Sequence, residues 1–125
     1  MKTILAKLTT ILLLARPVPA PQFQSYSALA HGAAALDGLS TVSLLENPLQ
    51  REVWGAWITG RRPAPPRVLV TTQLPAWTID IISRTRWAQR HPRLVRAAYR
   101  VAAGESVGCA ANNVARNRGS ADLRF

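Results

Sequence analysis

The chain is poor in the residues that staple small proteins and in those that carry out chemistry. It has one cysteine in 125 residues, so no intrachain disulfide can form. Small secreted domains often offset a thin core with such bridges, so a disulfide-scaffold toxin or effector is disfavoured. Two histidines, His31 and His91, and the single Cys109 give no metal-ligand spacing. No glycine-rich phosphate loop is present. Asn47 precedes Pro48, and Asn112, Asn113 and Asn117 lack a Ser or Thr two residues on, so no N-glycosylation site exists. These gaps lead us to expect no cofactor, no metal and no enzyme.

Acid is scarce too. Six acidic residues face sixteen basic ones, for a net charge of +10. None of the acids precedes Asp37, and none falls between Ile81 and Gly104. Such a balance favours acidic partners: an anionic membrane or wall polymer first, nucleic acid second. Arginine outnumbers lysine fourteen to two. Ala, Arg, Pro and Gly together supply 50 of the 125 residues, a bias that GC-rich codons alone would produce. A chain without a selected biochemical activity is therefore one reading to keep.

What is present begins with an address. Lys2 and Lys7 precede a short apolar run, Leu8 to Ala15, and small residues end at Ala20. Basic start, apolar middle and small residues before a cut are the layout of a secretory signal peptide over residues 1–20, cleaved between Ala20 and Pro21. The run is too short to span a bilayer, which takes about 20 apolar residues. Its end, Pro-Val-Pro-Ala-Pro-Gln, resembles the ends of many fungal secretory leaders. Secretion is the expectation. The alternative is a mitochondrial presequence, because Ile4, Leu5, Leu8, Ile11, Leu12 and Ala15 share a helical face in an acid-free, basic segment.

The remainder suggests a small α+β domain. Residues 21–60 read as a helical segment, with a short helix near residues 25–35 and a clearer one after Asn47. There, Pro48 suits the first helical position, Leu49, Val53, Ala56 and Trp57 form a stripe, and Gly60 stops the helix. Residues 61–67, RRPAPPR, read as a stiff Pro-rich linker. Within residues 68–104, the β-branched stretch Arg67 to Thr72 and the alternating stretch Trp77 to Ile82 predict a β-hairpin turning at Pro75. Asp80 would then sit in an apolar strand and need a partner if buried, an arginine being the obvious one. Ser83 caps a turn leading to His91, Pro92 opens a basic helix about 16 Å long, and Gly104 ends it. Residues 105–125 read as a flexible tail. The alternative is a mainly α chain with disordered segments.

Three local patterns invite a function. Gly104-Glu105-Ser106-Val107-Gly108 resembles the nucleophile elbow of carboxylesterases, which requires a strand before it, a helix after it and a histidine downstream. No histidine follows Ser106, so the pattern reads instead as a helix stop and turn. Gly60-Arg61-Arg62 resembles the cut and amide-donor site of peptide precursors, but Pro63 hinders cutting there. Arg84, Arg86, Arg90, Arg93, Arg96 and Arg100 place six cations within seventeen residues. With Trp87 and Tyr99 for stacking, they form the candidate anionic-surface site.

Overall fold

The computed structural model describes residues 17–47 and 63–122, with side chains to residue 118. A single turn of 3₁₀ helix, Pro21–Phe23, leads into α1, Gln24–Leu45. Then come α2, Pro65–Ser83, the five-residue α3, Arg86–Arg90, and the long α4, Pro92–Asp122. No strand occurs among the described residues, so the α+β expectation is corrected to mainly α. The helix expected after Asn47 lies outside the described residues.

Long-range contacts fix the arrangement. Ala20 meets Ser83, His31 meets Asp80, and Gly38 meets Leu69 and Thr72, so α1 and α2 run antiparallel. Phe23 packs on Tyr99 with ring centroids 6.4 Å apart, and Thr41 meets Asn113, so α1 and α4 run parallel. The start of α1, the end of α2 and the start of α4 therefore share one end of the bundle, where α3 makes the connection.

The segment expected to be a hairpin is one uninterrupted helix. Its inward residues are Val68, Ala76, Asp80 and Ser83, at helical spacing. Two of these four are polar, so a search for apolar alternation passes over them. Ile81, next to the buried Asp80, is 59% exposed. Pro65 and Pro66 start α2, where a missing N–H costs nothing, so the expected linker is in part a helical first turn. Pro75 lies inside the helix on its exposed side. Thr71 and Thr78 donate their hydroxyls to the carbonyls of Arg67 and Leu74 one turn back, so the hydroxyls are satisfied within the helix.

The tail expectation is also corrected. Gly104 does not stop α4, which runs on through Gly108 to Asp122. Asn113, on this stretch, donates to Thr41 Oγ1 at 2.8 Å and Ser40 Oγ at 3.1 Å, tying it to α1. The short helix expected at residues 25–35 is the first half of a 22-residue one. Ser83 does not cap α3. Thr85 does, its Oγ1 accepting from the Ala88 amide at 3.2 Å.

Small side chains line the core. Ala30, Ala33, Ala34, Ala76, Ala88 and Ala103 are buried, with Phe23, Leu44, Val68, Val95 and Tyr99 as the larger pieces. Close approach is tightest at Gly38, where an added Cβ would lie 2.9 Å from Thr72 Oγ1 and 3.0 Å from Leu69 Cδ2. Gly32, on the same helix, has open space around it. Gly32→Ala is expected to stabilise the protein by about 0.5–1 kcal/mol through helix propensity. Gly38→Val is expected to cost about 1–3 kcal/mol by forcing α1 from α2. Urea midpoints of the two variants check the contrast.

Candidate functional site

Two polar features stand out, one buried and one exposed. The buried one centres on Asp80, whose side chain is fully enclosed. Tyr99 of α4 donates its hydroxyl to Asp80 Oδ1 at 2.7 Å, and His31 Nε2 of α1 lies 2.7 Å from Oδ2. The expected arginine partner is thus replaced by a histidine and a tyrosine. His31 Nδ1 faces Gln73 Oε1 at 2.5 Å, while Gln73 Nε2 reaches back to the His31 carbonyl at 3.4 Å, which orients the amide. Both ring nitrogens therefore face side-chain oxygens within hydrogen-bond distance. Ser83 Oγ donates to the Asp80 carbonyl at 2.7 Å and accepts from the Ala20 amide at 3.1 Å.

A histidine beside an aspartate invites a catalytic reading. Base catalysis needs one ring nitrogen open toward a substrate. Here both are engaged, and the His31 side chain is only 10% exposed. The cluster is a clamp joining three helices. Burial pushes the Tyr99 phenol well above its usual value, and the hydrogen bond to Asp80 adds to this. Ser27 and Ser83 partly counter the shift, although Ser27 Oγ is buried without a hydrogen bond of normal geometry.

The exposed feature is basic. Arg84 caps the end of α2, Arg86 and Arg90 lie on α3, and Arg93, Arg96 and Arg100 lie on the first turns of α4. All six are exposed. Arg96 and Arg100 sit over the Tyr26 ring of α1 at 5.8 and 5.5 Å, a cation–π pairing that sequence spacing gave no means of finding. No carboxylate pairs with any of the six among the described residues. The six arginines expected as a cluster along the sequence are thus carried by the end of α2, by α3 and by the start of α4, at one end of the bundle. Trp87 is 52% exposed, its ring 5.0 Å from that of His91. Tyr99 is fully buried in the clamp and is withdrawn from the stacking role expected of it.

No protein-family model, curated protein or solved structure matches the chain.

The remaining sequence candidates are placed as follows. Ser106 lies within α4 with helix on both sides, so the strand-to-helix context of a nucleophile elbow is missing, and so is the turn expected there. Cys109 is half-buried on α4. Gly60-Arg61-Arg62 and the first sixteen residues of the leader lie outside the described residues. Pro19 is buried and Ala20 packs against the core, so cleavage between Ala20 and Pro21 would remove both, with the Ala20–Ser83 hydrogen bond. No cluster able to hold a metal ion occurs among the described residues.

Asp80→Ala is expected to destabilise the protein by about 3–5 kcal/mol, because it strands a buried histidine and tyrosine. The urea midpoint measures this, with Asp80→Asn falling between. Tyr99 also sets an alkaline limit. Its folded-state pKa is raised, so its contribution is fully present below the unfolded tyrosine value of about 10 and is lost as pH rises past it. Stability should therefore begin to fall above about pH 10 and keep falling as pH rises toward the raised folded-state value, and less steeply in Tyr99→Phe, whose side chain has nothing to ionise.

Proposed function

We propose that this is a small, secreted, basic, non-enzymatic protein that binds an anionic surface through Arg84, Arg86, Arg90, Arg93, Arg96 and Arg100. One observation carries the reading. Six arginines stand exposed at one end of the bundle without a carboxylate among the described residues to neutralise them. Guanidinium groups that no described carboxylate neutralises project a positive field, which polyanions can quench more fully than water does. The rigid three-helix arrangement holds them there and limits the ordering needed on binding. A secretory leader supports the extracellular setting. The competing mitochondrial address, with nucleic acid as partner, would use the same arginines.

Binding to heparin and to phosphatidylserine-containing vesicles at low salt is the test. Basic residues near an anionic bilayer contribute about 1 kcal/mol each. Changing Arg93, Arg96 and Arg100 together to Gln should therefore weaken vesicle binding by about two orders of magnitude. Circular dichroism should show the helical content retained. Absence of wild-type binding to either probe would end the proposal. Mass spectrometry of the N-terminus in medium and cells checks the address: a chain starting at Pro21 in the medium is the expected result, and Met1 retained in cells the contrary one.

A further inference from the structure

The arginines are not alone at their end of the bundle. From Ile81 to Arg90 the chain turns from α2 through α3, and α4 begins two residues later. Ser83, Ala88 and, after the turn, Val95 point inward and are buried. Around them Ile81 is 59% exposed, Ile82 40%, Trp87 52% and Leu94 57%. Arg84, Arg86, Arg90 and Arg93 fall among these four large apolar side chains in the sequence, and no acid lies between residues 81 and 104. Backbone bonds close the knuckle tightly: Arg84 N to Ile81 O at 3.3 Å, Thr85 N to Ile82 O at 2.9 Å, and Leu94 N to His91 O at 3.1 Å. The apolar groups and the cations are therefore carried on one hydrogen-bonded stretch from the end of α2 to the start of α4.

Single exposed apolar residues are ordinary on a protein surface. Four on one such stretch, among arginines that no described carboxylate neutralises, match a particular environment. In the headgroup region of a bilayer, guanidinium groups meet phosphates while aliphatic side chains and an indole enter the acyl boundary. A nucleic acid would satisfy the arginines and stack on Trp87, but it offers Ile81, Ile82 and Leu94 no comparable apolar phase. We infer that the knuckle of residues 81–94 docks the protein onto an anionic lipid bilayer, with Ile81, Ile82, Trp87 and Leu94 entering the acyl boundary and the arginines held at the phosphates. The inference rests on the anionic-surface reading above and specifies its partner. It describes docking at the surface by one end of the bundle, without a helix crossing the bilayer.

The experiment separates the two claims. The full chain and the double variant Ile81→Ser, Leu94→Ser are compared on heparin and on vesicles of phosphatidylcholine with phosphatidylserine, at physiological salt. Both substituted side chains are more than half exposed, so the fold should hold, and circular dichroism checks it. The expected result is unchanged heparin retention with vesicle binding weakened about tenfold or more. In the wild type, brominated lipid should quench tryptophan emission, and Trp87→Phe should remove most of that quenching. Heparin binding with vesicle binding unaffected by the double variant would overturn bilayer insertion and leave the anionic-surface reading standing. So would tighter binding to a single-stranded oligonucleotide than to vesicles, insensitive to the double variant. Loss of binding to every polyanion would overturn both.

Discussion

Asp80 is one carboxylate on α2 that takes a hydrogen bond from α1 and another from α4. A carboxyl group at zero exposure is costly unless its oxygens are hydrogen-bonded. Here they are bonded only when all three helices stand in register. Slide α1 by one turn and His31 leaves; rotate α4 and Tyr99 leaves. The second polar tie, Asn113 to Ser40 and Thr41, repeats the logic farther along the α1–α4 interface. Alanine-lined surfaces are nearly featureless and would allow many alignments, so these polar ties select one.

That division of labour explains an otherwise odd distribution of size. Six of the eleven buried apolar side chains among the described residues are alanines, while Leu29, Leu36, Leu39, Leu74 and Ile81 are substantially exposed. Small inward residues let helices approach closely, as Gly38 does against Leu69 and Thr72. Close approach brings His31, Asp80 and Tyr99 within bonding distance. The same economy limits how much apolar area the core can bury, so the polar clamp carries a large share of the fold's specificity.

The legible parts of the sequence were those governed by local rules. Pro92 opens a helix as its fixed φ predicts, and the basic stretch after it is exposed as its charge requires. Illegible were the parts decided by distant partners. Val68, Val70 and Ile79 favour a strand locally, yet Asp80 and Ser83 find their partners only if α2 is helical, because helical spacing puts them on one face. Gly104 and Gly108 read as punctuation, but tertiary ties beyond them, at Asn113, carry α4 onward. The arginine site was legible as a set of cations. Its gathering around one end was not, since that follows from the antiparallel return of α2 and the short α3. Tyr26 lies seventy residues before Arg96, too far for spacing arguments to connect them.

The parallel pairing of α1 with α4 has an electrical consequence. Peptide dipoles sum along a helix to about half a positive charge at its N-terminal end and half a negative one at the other. Two long helices begin at the arginine end and one finishes there. The backbone itself is therefore polarised in the same sense as the side chains, and it would remain so if every arginine were neutralised. The molecule has a built-in orientation in any field normal to a charged surface, with the knuckle leading.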